Sequence, residues 1–343
     1  MSYNLEQYTT PVWEGDTVYH ESVLFIEDEE GKVTAPALLY TPGRILSVAS
    51  RGLDKTYVLG KDFTVEGNKI VLTADTSIPV MPYSEYIADE GYAATKDDAT
   101  KFVKANKDVA KYQLYVSYTH ADAWTLEKPK AQLSSLPGLK AKLEAKENVN
   151  LLFVGDSITE GFETSSKNNV APYMPTYATM VTDALKVRYD YNGITAVNGA
   201  YRSTTTAHGI TQHIPNNMTA DTDVVFIAYG MNQYNDTTNY PDHIRQMMDY
   251  CLEVNPEVEF VLVSTMTANT TCAHLANNVL SAQEDLLDTI AGEYSGTVVA
   301  PVNTMFESIQ TVKRYIDITG NFINHPNDFG ARLYAQIILT VLS

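Results

Sequence analysis

After residue 149 the chain alternates short, almost unbroken apolar runs with segments of helical spacing, and few folds accommodate that alternation. The runs are NVNLLFVGD, ITAVN, DVVFIAYG, VEFVLVSTM and TVVAPV. Strands so continuously apolar are expected to be buried on both faces, as in a parallel sheet covered by helices. Between them Tyr177, Met180, Val181, Ala184 and Leu185 fall at i, i+3, i+4, i+7 and i+8, and so do Ile244, Met247, Met248, Cys251 and Leu252. That is the period of one helix face, and Met and Cys in such a stripe need no role beyond packing. Strand and helix in regular succession predict a doubly wound α/β sandwich, whose ligands bind outside the carboxyl ends of its strands.

The first 127 residues have a different texture. Short β-type runs, VYHESVLFI, APALLY, ILSVAS, KIVLT and KYQLYVSYT, are separated by the turn-forming segments EDEEGK, TPGR, RGLDK and EGNK. Such spacing predicts a β-sandwich of jelly-roll type. In the last run Tyr112, Leu114, Val116 and Tyr118 alternate with Gln113, Ser117 and Thr119, which predicts one face on a core. Residues 84–106 break the pattern and read as a long loop or a small helical excursion. The expected organisation is a β-sandwich accessory domain over 1–127, a Lys/Ala/Leu/Glu-rich linker over 128–148, and an α/β domain over 149–343.

Charge narrows the partners. With 24 Lys+Arg against 42 Asp+Glu the net charge is −18, which repels phosphate backbones and anionic lipid surfaces. Neither nucleic acid nor a membrane is expected as a partner. Two cysteines, Cys251 and Cys272, make a disulfide framework improbable. The opening residues lack a basic segment followed by an apolar run, and nothing downstream holds ~18 consecutive apolar residues. The chain as it stands reads as cytoplasmic, although one that had lost an export signal would read the same.

Candidate chemistry should then sit at strand ends. The run Val149–Gly155 leads directly into Asp156-Ser157-Ile158-Thr159-Glu160-Gly161, placing Ser157 where a strand ends and a helix begins, among unpaired backbone N–H donors. A serine there also suits a helix cap, so this segment alone leaves both roles open. A nucleophilic serine needs a base. His325, in Asn324-His325-Pro326-Asn327-Asp328, precedes the final helix at the same rim. The settings of His20, His120, His208, His213, His243 and His274 are less suited. Donors for an oxyanion are offered by Gly230-Met231-Asn232-Gln233, through the Asn232 amide, and by the small-residue loop Gly199-Ala200-Tyr201-Arg202-Ser203-Thr204. No cluster with metal-ligand spacing surrounds these residues, so neither metal nor cofactor is expected.

Gly155-Asp156-Ser157 with Ile158-Thr159-Glu160-Gly161 resembles the first conserved block of SGNH/GDSL hydrolases. Gly230-Met231-Asn232 resembles their third block, and His325-Pro326 their fifth. The resemblance covers about residues 149–343. It implies a flavodoxin-like α/β/α domain that hydrolyses esters or thioesters without a metal, with an oxyanion hole made of the serine N–H, a second-block glycine N–H and the asparagine side chain. Carried over, these are Ser157, Ser203 and Asn232. Ser203 stands where the family has glycine, with Gly199 as the fallback donor. The family's acid lies three residues before the histidine, and here that position is Phe322. The ring would then be oriented by a backbone carbonyl near Asn321, by Asp317 or by Asp328, in that order. Some related carbohydrate esterases work as a Ser-His dyad with a main-chain carbonyl.

A β-rich segment ahead of an SGNH domain resembles two-domain carbohydrate O-acetylesterases, which makes an acetylated glycan or glycoside the expected substrate. Fold alone does not decide this. The alternatives are a general short-chain acyl esterase, thioesterase or lysophospholipase, and a catalytically inactive carbohydrate-binding relative. The 23 tyrosines and the pair Trp13 and Trp124 could stack on sugar rings, but most aromatic residues of a β-rich region pack in its core. The sequence leaves the oligomeric state open.

Overall fold

The computed structural model describes residues 4–234 and 237–343. Its main strands, in chain order, are β1 (Thr17–Leu24), β2 (Arg44–Ser50), β3 (Gln113–Thr119), β4 (Val149–Gly155), β5 (Ile194–Asn198), β6 (Val224–Ala228), β7 (Glu259–Val263) and β8 (Thr297–Ala300). The last five form a parallel sheet in the order β5-β4-β6-β7-β8. By position in the domain this is 2-1-3-4-5, the flavodoxin-like order, whose connections leave in opposite directions from the first and third strands. The switch point therefore falls between the carboxyl ends of β4 and β6, where Gly155 pairs with Ala228.

Successive strand residues feed two separate apolar clusters, as the strand period of two requires. Leu151, Phe153, Phe226 and Val261 pack with Tyr177, Met180, Tyr334 and Ile337, from the helices Tyr177–Tyr189 and Asp328–Val341. Leu152, Val154, Val225 and Phe260 pack on the other side with Ile244, Met247, Met248 and Leu287, from the helices Tyr240–Val254 and Asn277–Ala291. This is the expected α/β/α sandwich. The edge strand β5 departs from it: only Ile194 is buried, and Thr195 to Asn198 are exposed. An apolar run such as ITAVN does not reveal by itself that its strand lies at an edge.

The N-terminal half is β-rich, but it is built of small antiparallel sheets. β1, β3 and β2 form one sheet in that order, Phe63–Glu66 and Lys69–Leu72 a hairpin, and Ile87–Ala88, Phe102–Val103 and Ala93–Ala94 a third sheet. Among the described residues no second large sheet faces β1-β3-β2. The short helix Tyr315–Ile318 and the final helix pack on β1 instead. For the same reason β3 does not alternate between core and solvent. Every residue from Gln113 to Tyr118 is buried, with Gln113 donating to the Thr319 carbonyl at 2.6 Å and Ser117 accepting from the His20 N–H at 3.0 Å. The stretch expected as a linker contains the helix Pro137–Ala145, with Leu139 and Leu143 buried. Its first turn donates the Gly138 and Leu139 N–H groups to Glu259, at 2.8 and 2.7 Å. Among the described residues no helix is long and apolar enough to cross a membrane. Cys251 and Cys272 are buried and unpaired.

Candidate active site

β4 ends at Gly155, and Asp156 caps the single-turn helix Ser157–Glu160, accepting from the Ile158 N–H at 2.9 Å. This cap sets Ser157 on the first helical residue at the switch point. Burial pushes the Asp156 carboxyl up to about 6, partly opposed by the Ile158 N–H and by the field of His325. Ser157 Oγ lies 2.8 Å from His325 Nε2, so residues 168 positions apart meet at one rim.

The histidine is held by its own loop. Its carbonyl accepts from the Gly320 N–H at 2.9 Å and from Thr319 Oγ1 at 3.0 Å, closing residues 319–326 into a tight turn. Asn321 occupies the centre of that turn. Its Oδ1 accepts the backbone N–H groups of Ile323, Asn324 and His325 at 3.0, 3.1 and 3.1 Å. Its Nδ2 lies 3.0 Å from His325 Nδ1. On the same ring nitrogen Glu163 Oε1 stands at 3.8 Å. Phe322, at the family's acid position, turns into the core, fully buried with its ring 4.9 Å from that of Tyr86.

The acids expected near the ring are engaged elsewhere. Asp317 is buried, accepting from the Leu24 N–H at 2.9 Å and pairing with Arg314 at 2.8 Å. Asp328 is buried, accepting from the Ser165 N–H at 2.7 Å and from Tyr115 Oη at 3.0 Å. Both join the N-terminal half to the end of the chain. At Nδ1 the structure places a side-chain amide from Asn321, where a backbone carbonyl was the first expectation. Glu163 and the side chain of Asn321 are the groups that sequence reading missed. Glu163 lies only six residues past Ser157 and two past the end of the first block, and that proximity was the available signal.

The loop after β5 is laced to the serine helix. The Tyr201 N–H donates to the Gly155 carbonyl at 3.2 Å, Asn198 Nδ2 to the Thr159 carbonyl at 2.8 Å, and the Arg202 N–H to Glu160 Oε2 at 2.7 Å. Ser203 follows with φ +57, the left-handed conformation that glycine adopts without steric cost. The serine thus keeps the backbone shape that a glycine would give. Gly199 does not serve as a substitute donor, because its N–H is spent on the Phe153 carbonyl at 2.8 Å as the sheet ladder continues. After β6, Gly230 has φ +151, and a Cβ there would collide with Gln283. This turn presents Asn232, whose Nδ2 donates to the Thr204 carbonyl at 2.9 Å.

These groups line a hollow of about 190 Å³, where Ser157, Ser203, Asn232 and His325 are joined by Phe162, Arg202 and Tyr92. Tyr92 reaches it from the N-terminal half. A larger hollow of about 820 Å³ lies at the opposite end of the sheet, lined by Lys142, Asn150, Asp223 and Glu259, and holds no serine or histidine. Among the other histidines, His20 meets Tyr8 Oη at 2.7 Å and His213 meets Tyr229 Oη at 2.6 Å. Trp13 and Trp124 pack on each other at 6.1 Å. Among the described residues no group of three or more His, Cys, Asp or Glu is placed to hold a metal ion.

The blocks that converge on this rim span the region in which sequence comparison finds a family. Residues 153–333 match the GDSL-like lipase/acylhydrolase family. The chain belongs to that family. Comparison with curated proteins finds no match. Among solved structures, this GDSL-like protein is similar to a two-domain esterase active on acetylated mannans, at 22% identity over 62% of its own length, with a TM-score of 0.50. It spans about half of that esterase, 53% of its chain. It is also similar to an acetylxylan esterase from Geobacillus stearothermophilus, at 19% identity over 57% of this chain and 94% of that one, TM-score 0.43. A G-D-S-L family lipolytic protein from Veillonella parvula matches at 18% identity, over 56% and 96% of the two chains, TM-score 0.42. At such identity the likeness to the mannan esterase is one of fold.

Proposed function

We propose that this GDSL-like protein is a serine esterase that removes short acyl groups, acetyl foremost, from a carbohydrate or glycoside. The observation that carries the reading is the 2.8 Å contact between Ser157 Oγ and His325 Nε2 at the switch point. In this reading Ser157 Oγ attacks the ester carbonyl carbon while Nε2 takes its proton. The resulting oxyanion is met by the N–H groups of Ser157 and Ser203 and by Asn232 Nδ2. Collapse breaks the bond to the sugar oxygen, which leaves with the proton from Nε2, and the acyl group stays on Ser157. Water then attacks that acyl-enzyme, His325 again carrying the proton, and the carboxylic acid departs.

A hollow of about 190 Å³ is below the ~300–1,000 Å³ usual for sites that enclose a drug-sized ligand. It suits a small acyl group with the alcohol part left outside. The activity of the similar two-domain esterase on acetylated mannans makes an acetylated polysaccharide the first substrate class to try. Residues 1–127 are read as an accessory unit that supplies part of the wall through Tyr92, joined through 128–148 to a hydrolase unit over 149–343.

The test is a panel of acetylated sugars set against p-nitrophenyl esters of rising chain length, with Ser157→Ala as control. Acetyl esters should turn over fastest, and Ser157→Ala should lose on the order of 10⁴-fold or more. A serine-directed phosphonate should label Ser157. Preference for long acyl chains would replace the acetylesterase reading with a lipase or thioesterase, and absence of both turnover and labelling would leave a binding protein.

A further inference from the structure

The three N–H groups on Asn321 Oδ1 have a chemical consequence. A carboxamide oxygen that accepts three backbone N–H groups, at 3.0, 3.1 and 3.1 Å, cannot exchange places with its NH₂. The NH₂ therefore faces His325 Nδ1, 3.0 Å away. An amide N–H can only donate, so Nδ1 must present its lone pair, and the neutral ring carries its proton on Nε2. That tautomer donates toward Ser157 Oγ and cannot take its proton. Held by Asn321 alone, His325 would not act as a base.

Glu163 supplies the missing acceptor. Its Oε1 is 3.8 Å from Nδ1, and both side chains are only 14% exposed. A closure of about 1 Å would bring it to hydrogen-bond distance. Three features hold it beside the ring. Glu163 has φ +66, an uncommon conformation for a side chain of its size. Arg51 Nη2, from the N-terminal half, donates to its carbonyl at 3.0 Å. Gly320, in the histidine loop, lets the two backbones approach, since a Cβ there would collide with the Glu163 Cβ.

We infer that Glu163 is the positioning carboxylate of His325, accepting a hydrogen bond from Nδ1–H, so that the ring keeps its proton on Nδ1 and its Nε2 lone pair is free for Ser157, in competition with Asn321. The N-terminal half serves the chemistry through Arg51. This rests on the Ser157–His325 reading above.

The experiment compares full-length Glu163→Gln with wild type on one acetyl ester, with Ser157→Ala alongside and circular dichroism as a check on folding. A glutamine cannot hold Nδ1–H as a carboxylate does. Turnover should fall 10²- to 10⁴-fold, the upper figure being the loss when a catalytic histidine takes the wrong tautomer, with KM changed less than about threefold. Adding Asn321→Asp to Glu163→Gln puts a carboxylate at 3.0 Å from Nδ1 and should restore at least tenfold of the loss. If Ser157→Ala is inactive while Glu163→Gln keeps more than a third of wild-type turnover, the inference is overturned and the esterase reading stands. A Glu163→Gln loss that Asn321→Asp does not repair overturns it too. Wild-type-like turnover by Ser157→Ala defeats the underlying reading itself.

Discussion

The two sides of the final helix, Asp328–Val341, meet different chemistry. Toward the parallel sheet it presents Tyr334, Ile337 and Ile338 to an apolar cluster. Toward the N-terminal half it presents Arg332 and Gln336, both buried. Arg332 donates to the Tyr19 carbonyl at 2.6 Å, and Gln336 both donates to the Tyr8 carbonyl at 2.9 Å and accepts from the Val12 N–H at 3.1 Å. Nearby Lys313 and Glu21 pair at 2.7 Å, both side chains fully buried, and Glu21 also accepts from Tyr118 Oη at 2.6 Å and the Leu39 N–H at 2.9 Å. Apolar contacts tolerate small shifts, whereas buried polar groups are costly unless each finds its partner. The seam thus holds the N-terminal half at one setting, which delivers Arg51 and Tyr92 to the site.

The sharpest way to break this comparison is to damage each side once. Lys313→Met leaves Glu21 buried without its cation and should cost about 3–5 kcal/mol of stability. Ile337→Val on the sheet side should cost only about 0.5–1.5 kcal/mol. Denaturant unfolding of both variants reads the difference, and similar losses would mean that the seam packs no more specifically than the sheet.

The rim adds a third kind of burial, a single carboxyl. With its folded-state value near 6 and an unfolded value of about 3.9, Asp156 keeps its proton in the folded chain after the unfolded chain has released it. Its contribution to stability is therefore present at low pH and is lost as pH rises from about 4 to 6, by roughly 2–3 kcal/mol. Asp156→Asn retains an acceptor for the Ile158 N–H and removes the titration. Relative to wild type, that variant should gain stability as pH rises through this window and show no change above it. A pH-independent difference in unfolding free energy would refute the assignment.

The contrast between sheet and seam also explains what could be read in the sequence. The apolar runs and the stripes at 177–185 and 244–252 gave the α/β/α layers, because their partners are repeats of one pattern. The Ser157 and Asn232 turns were legible because each follows a strand. The seam was not, since its pairs, such as Glu21 with Lys313, lie nearly the whole chain apart and carry no periodicity. Asp317 and Asp328 drew attention by closeness in sequence to His325, yet three-dimensional proximity took them to the seam. Glu163 and Asn321 needed the fold of two loops to reach the same ring.

Neutralising those two seam acids should then affect folding more than chemistry. Asp328→Asn and Asp317→Asn each place an NH₂ or a weaker acceptor before buried donors and should cost about 1–3 kcal/mol. Turnover per folded molecule should change less than about tenfold. A loss of 10³-fold in either variant, in protein shown to be folded by circular dichroism, would move the histidine's carboxylate from Glu163 to that residue.

The smallest expected effect tests the rim loop itself. Ser203 holds φ +57, a conformation costing a non-glycine residue on the order of 1 kcal/mol or more. Ser203→Gly relieves that strain, while glycine's greater freedom in the unfolded chain returns about 0.5–1 kcal/mol of the gain. The net change should be a stabilisation of less than about 1 kcal/mol. Because the proposed donor is the backbone N–H, which glycine retains, acetyl-ester turnover should stay within about twofold of wild type. A fall of tenfold or more in folded Ser203→Gly would show that the hydroxyl contributes, and the second oxyanion donor would have to be reassigned from the Ser203 backbone to its side chain.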